Sequence, residues 1–178
     1  MPDLIEGHSE AALIAFINGA GLAPFRFQGW LGKRLTASFG WNYDFDRGRI
    51  AEAPPIPDLL LPLRDRMAAF AGVAPGDFVQ TLVIRYDPGA GIGWHRDRPQ
   101  FGTVVGLSLG NAAILRLRQR RPGGKFDRRA VPLEPRGAYV LDGEVRHDWE
   151  HSIAPIPGTR WSITFRSLSD LGRRALDG

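Results

Sequence analysis

The chain has 178 residues, 43% apolar and 24% charged, which suits one globular domain with its own hydrophobic core. It has no cysteine, so disulfides, thiolate metal sites and cysteine nucleophiles are excluded, and any metal must be held by His, Asp or Glu. The net charge of +4 rests on 21 Arg against 2 Lys; arginine suits bidentate capture of phosphates and carboxylates, although GC-rich coding produces the same bias.

In chain order, Met1 to Glu6 lack the basic start and apolar run of a secretory signal, and no later apolar run is long enough to span a bilayer; a cytoplasmic monomer is expected. Ser9 as an N-cap predicts a helix with Leu13, Ile14, Phe16 and Ile17 on its apolar face, ended by Gly19 and Gly21. Phe25 to Phe45 is dense in aromatics but interrupted by Gly29, Gly32 and Gly40, which predicts irregular strands and loops. After the boundary at Pro54 to Pro57, Leu60, Leu63, Met67 and Phe70 predict a second helix over Asp58 to Ala71, with Pro62 tolerable only in its first turn.

From Phe78 the pattern changes to short β-branched and aromatic runs between turns. Strands are predicted at Thr81–Tyr86, Gly102–Leu109, Ala113–Arg118, Gly137–Leu141 and Arg160–Phe165, and the last residues, with Gly172 to Arg174, are expected to fray. The expected fold is mainly β with N-terminal helices (α+β), one domain with a helical layer over residues 1–77 and an all-β barrel or sandwich over 78–167.

Four histidines, at positions 8, 95, 147 and 151, limit the possible metal sites. In His95-Arg96-Asp97 the two ligand types stand at i and i+2, so on an extended strand they face the same way. One further His completes a two-His, one-carboxylate triad with open coordination positions, and His147 and His151 both compete for that role. His8-Ser9-Glu10 has the same form, so the pair is informative only in context: it follows a strand and the tight turn Asp87-Pro88-Gly89-Ala90-Gly91. Residues 160–166, Arg-Trp-Ser-Ile-Thr-Phe-Arg, alternate strictly, giving two arginines on one face about 20 Å apart along a flat strand. Such a face is either solvated or a receptor for a small dicarboxylate.

Together these segments resemble the AlkB-type iron(II)/2-oxoglutarate-dependent dioxygenases. The likeness runs in order over residues 78–167: Tyr86 with its Pro-Gly turn, His95-x-Asp97, Val105 to Gly110, Trp149-Glu150-His151-Ser152-Ile153, and the closing Arg160-x5-Arg166. It implies a double-stranded β-helix (jelly-roll) core, with a substrate lid within residues 1–77. It also implies iron(II) held by His95, Asp97 and His151, with 2-oxoglutarate and O2 as cosubstrates. Arg160 then pairs with the remote carboxylate of 2-oxoglutarate, Arg166 lies near the other, and Tyr86 hydrogen-bonds the cosubstrate. His151 is preferred over His147 because it carries the Trp149 and Ser152-Ile153 context. One departure stands out: many members have Asn two residues before the Tyr, and here that position is Ile84, which lacks a polar contact to the cosubstrate.

The implied substrate is nucleic acid with alkylated bases, preferentially single-stranded, which requires cations for phosphates and aromatic surfaces for an unstacked base. Arg116, Arg118 and Arg120 share a strand face in the densest basic stretch, and Arg116 and Arg118 are the candidate phosphate contacts. Among Trp30, Phe39, Trp41, Tyr43 and Phe45, the candidate base contacts are Trp41 and Tyr43. Two alternatives keep their place: the same hydroxylation chemistry on a protein, lipid or small molecule, and a non-catalytic nucleic-acid-binding module.

Overall fold

The structure, a computed structural model, describes residues 1, 3–27, 30–45 and 47–177; the side chains of residues 26, 27, 30, 31 and 177 are outside that description. The expectations placed on Gly29 and on the Trp30 side chain therefore lie outside the described residues. Helix α1 (Gly7–Gly19) buries Leu13 and Ile17. It starts before the expected Ser9 cap: Glu6 is extended, at φ −81° and ψ 159°, and its carbonyl accepts the Glu10 amide at 3.0 Å.

Where irregular strands and loops are expected, β1 (Ala23–Phe27) and β2 (Trp30–Asp44) pair as an antiparallel hairpin, and β3 (Arg49–Glu52) pairs with the end of β2. Gly40 bends β2 without ending it, at φ 75°, with the Val79 carbonyl oxygen 2.1 Å from where a Cβ would lie, a position only glycine can fill. Helix α2 (Leu61–Ala71) follows a single 3-10 turn, has Pro62 in its first turn, and ends at left-handed Gly72.

All five predicted strands form: β4 (Phe78–Tyr86), β6 (Phe101–Gly110), β7 (Ala113–Arg120), β9 (Ala138–Leu141) and β11 (Arg160–Leu168). Three more are not apparent in the pattern: β5 (Ile92–His95), β8 (Phe126–Leu133) and β10 (Glu150–Ile153). β5 and β10 have only four residues each, and β8 carries Pro132 and a largely exposed run, tolerated because it is an edge strand. Helix α3 (Gly143–His147) precedes β10, and α4 (Asp170–Asp177) occupies the C-terminal residues expected to fray. The Ser169 hydroxyl caps α4 by accepting the Gly172 amide at 3.1 Å, and Gly172 lies too close to the Gln100 carbonyl for a side chain to fit.

The strands form two antiparallel sheets, one ordered β1-β2-β4-β11-β6-β9 with β3 beside β2, the other β5-β10-β7-β8. This is the jelly-roll arrangement the resemblance implies. One face of the large sheet, with Val83, Val105, Leu107, Ile163 and Phe165, packs on helix residues Ile17, Leu60 and Met67. Its other face meets the small sheet around Ile84, Tyr86, Leu115, Leu117, Leu141 and Ile153. Both faces of β11 are consequently buried. Arg160, Ser162, Thr164 and Arg166 are all under 9% exposed, so the alternation marks a polar interior and not a wet surface.

Candidate functional site

His95 ends β5 and stands directly opposite His151 of β10 in an antiparallel pair, so strand alternation turns both rings to one face, 4.2 Å apart between centroids. Asp97 lies in the loop beyond β5, and one ligand atom from each of His95, Asp97 and His151 falls within 4.8 Å of the others. The pair thus sits at a strand end, where a strand start was expected, because β5 begins straight after the turn at residues 87–91. Loop geometry, more than strand alternation, brings Asp97 round. Arg146, 3% exposed, fastens that loop: its Nε donates to the Gly102 carbonyl at 2.9 Å and its Nη2 to the Arg98 carbonyl at 2.7 Å. His147 is exposed at the end of α3, and His8 faces Glu6 on the surface, so neither joins the cluster.

The protonation states suit a divalent metal. Burial pushes the His95 pKa down, partly offset by Asp97, and pushes His151 down to about 4, so both rings are neutral near pH 7. Burial opposes ionisation of Asp97, yet Arg166, aided by His151, His95 and Arg146, outweighs it and holds the carboxyl well below the usual carboxylate range. His95 Nδ1 lies 2.8 Å from the Gly93 carbonyl, which selects the Nδ1–H tautomer and leaves Nε2 to ligate. Two neutral imidazoles and one carboxylate on an open face are the donor set of a non-haem iron(II) centre.

The cosubstrate residues lie on the large sheet. Arg160 is 1% exposed; its Nε donates to Ser108 Oγ at 3.0 Å and its guanidinium lies 5.1 Å from the centre of the Tyr86 ring. Its Nη1 and Nη2 are buried with no partner among the described residues. A buried guanidinium with two orphaned nitrogens is a receptor for a carboxylate, so the site fits 2-oxoglutarate. Arg166 behaves differently, since its Nη2 lies 3.5 Å from Asp97 Oδ1. Ile84 is buried at the same face.

A cavity of about 960 Å³ opens beside the triad, lined by Phe25, Arg34, Tyr43, Phe45, Trp94 and Arg98 among others. Tyr43 and Phe45 meet edge to face at 5.1 Å, and the Arg98 guanidinium lies 4.8 and 4.7 Å from their centres. Of the four candidate substrate contacts, the structure brings only Tyr43 to this cavity. Trp41 does not line it, although Glu52, its partner on β3, does. Arg116 and Arg118 are on the outer face of the small sheet, because Leu115 and Leu117, between and beside them, point into the core. There Arg118 Nε pairs with Glu150 at 2.6 Å and Arg116 Nε donates to Ser152 Oγ at 3.1 Å, both guanidiniums over the Trp94 ring.

Sequence reasoning missed Arg34, Arg98, Ser108, Tyr139 and Arg146. The Tyr139 hydroxyl is pushed up to about 12 by burial, and its ring lies so close over Gly106 that a Cβ there would overlap it. Only cross-strand register reveals Ser108 and Tyr139, and Arg34 was hidden in the segment expected to be irregular.

A family model described as the 2OG-Fe(II) oxygenase superfamily matches residues 29–166. No curated protein matches the chain by sequence. Among solved structures, OsALKBH1 is similar at TM-score 0.72 and 16% identity, covering 94% of this chain and 95% of that one. A Pseudomonas putida prolyl-4-hydroxylase is similar at TM-score 0.63 and 16% identity, covering 95% and 91%. Likeness at this identity speaks for the fold.

Proposed function

The chain belongs to the 2OG-Fe(II) oxygenase superfamily, an iron(II)-, 2-oxoglutarate- and O2-dependent class of enzyme, and from that premise we propose that it oxidatively dealkylates bases in nucleic acid. When bound, iron(II) and 2-oxoglutarate would use O2 to hydroxylate a C–H bond, one oxygen atom going to the substrate and the other to succinate as CO2 is released. For an N-methyl group the hydroxymethyl product releases formaldehyde and leaves the free base. His95, Asp97 and His151 are the proposed iron ligands, Arg160 the anchor of the remote carboxylate, and Tyr86 a hydrogen-bonding partner of the cosubstrate. Arg166 keeps Asp97 ionised.

The observation that carries the substrate class is the aromatic wall beside the triad: Tyr43, Phe45, Phe25 and Trp94 line one cavity with Arg98 over two of the rings. Flat aromatic and guanidinium surfaces suit a planar, unstacked base. The same chemistry on a protein side chain is the second reading, favoured by the likeness to a prolyl-4-hydroxylase.

The test is anaerobic loading with iron(II) and 2-oxoglutarate, then exposure to air with a single-stranded oligonucleotide carrying 1-methyladenine or 3-methylcytosine, with His95→Ala as control. Methyl loss with succinate, in the native protein alone, is the expected result. Succinate without methyl loss would keep the dioxygenase and discard this substrate. No succinate from folded, iron-loaded protein would count against the proposed site.

A further inference from the structure

2-Oxoglutarate carries two carboxylates; bound iron(II) would supply the cation at one end, but each buried carboxylate still needs N–H donors for its remaining oxygens. Arg160 offers two free nitrogens to one of them. Arg166, to which the family resemblance gives the other, is already engaged. Its Nη1 donates to Gln80 Oε1 at 3.3 Å and Thr164 Oγ1 at 3.0 Å, and its Nη2 faces Asp97. Its charge is committed to a metal-ligating carboxylate.

Arg34 is not committed in this way. It lines the same cavity as His95, Asp97 and Arg166, from β2. Its guanidinium lies 3.9 Å from the centre of the Phe25 ring, which holds it in place, and its Nε is buried with no hydrogen-bond partner among the described residues. A buried guanidinium N–H without an acceptor is costly unless a ligand supplies one. Burial lowers the Arg34 pKa, with Tyr86 and Asp97 acting against that and Arg166 reinforcing it, so a neighbouring anion favours its charged form. Strand register adds a second reason. Thr36, two residues beyond Arg34, pairs with Ile84, the apolar residue where a polar contact to the cosubstrate is missing.

We propose that Arg34 binds the second carboxylate of 2-oxoglutarate, making good from the adjacent strand the contact that Ile84 lacks, while Arg166 serves as a positioning residue for Asp97. The proposal rests on the metal and cosubstrate assignments above. It implies that affinity for the cosubstrate depends on β2, the strand that also carries Tyr43 on the cavity wall.

Calorimetric titration of 2-oxoglutarate into Mn(II)-loaded protein under nitrogen reads this affinity without turnover. Arg34→Gln is expected to weaken binding about tenfold or more, the scale of a lost charge-assisted hydrogen bond to a carboxylate. Arg34→Lys restores part of it, because a point charge remains but the planar fork does not. Mn(II) affinity, titrated without 2-oxoglutarate, should not fall in either variant, since Arg34 touches no ligand. Unchanged 2-oxoglutarate affinity in Arg34→Gln overturns the proposal; weaker binding of a single-stranded oligonucleotide in that case assigns Arg34 to the substrate. Loss of Mn(II) binding in both variants also overturns it, because Arg34 then acts through the fold. Native protein that fails to bind Mn(II) or 2-oxoglutarate removes the underlying assignment together with the proposal.

Discussion

Burial keeps the His151 ring neutral, its pKa lowered from 6.5 to about 4, so as pH falls the unfolded chain takes up a proton that the folded chain refuses. Stability rises with pH wherever the unfolded state binds more protons, so the metal-free protein loses stability as pH falls from 6.5 towards about 4. Asp97 acts in the next window: its depressed pKa contributes stability present above 3.8 and lost as pH falls further. Urea denaturation of the metal-free protein across this range should show the midpoint falling between pH 6.5 and 4, and a His151→Asn variant should show a flatter slope there. A native midpoint independent of pH in that window would mean His151 is hydrated. At this scale the His95-x-Asp97 pair was legible because its spacing and its turn lie within one short segment. His151 and His147 are both four-residue neighbours by sequence, and it took the resemblance, then the exposure of His147, to separate them.

The loop between β5 and β6 is fastened from two sides, by Arg146 of α3 and by Ser169, whose hydroxyl donates to the Pro99 carbonyl at 2.6 Å and whose amide donates to the Gln100 carbonyl at 2.9 Å. Arg146 of α3 donates to carbonyls at both ends of residues 98–102, and replacing it with Met removes both bonds, leaving the Arg98 carbonyl only the Phe101 amide at 3.0 Å. Arg146→Met is expected to cost about 2 kcal/mol or more of stability and to weaken Mn(II) binding, because Asp97 lies just before the released loop. Full metal affinity in a destabilised Arg146→Met protein would mean that Asp97 is held by Arg166 alone. Elements differ in how well the sequence announces them. β11 and β4 are long, so their existence follows from alternation in β11 and from a β-branched, aromatic run in β4, whereas β5 and β10, four residues each, exist because neighbouring strands supply their hydrogen bonds. The polar face of β11 reads as solvated until the second sheet is laid over it. Arg116 and Arg118 lie on the outer face of that second sheet and do not line the cavity.

For the whole molecule, the ligands of one metal come from both sides of a strand pair in the small sheet, so metal binding and folding are linked. A divalent metal at a hundred times its dissociation constant should stabilise the native protein by about 2.7 kcal/mol, a rise in Tm of roughly 5–10 °C for a chain of this size. Mn(II) titration followed by thermal unfolding checks this, with His95→Ala showing no rise. An equal rise in His95→Ala would place the responsible ion elsewhere. The helix-backed face was legible in outline, since helices precede most of the strands along the chain. Which strand faces meet required the register.

His95 and His151 stand face to face across β5 and β10, yet β5 is an edge strand with β10 its sole neighbour in the sheet order. A metal bridging them acts as a clasp, closing the long loop of chain between positions 95 and 151 and reducing the freedom of the unclosed edge. Chelation would then do more than stop turnover: it would unfasten the margin of the small sheet, and β5 amides would exchange with solvent long before those of β4 and β11, which are enclosed on both sides.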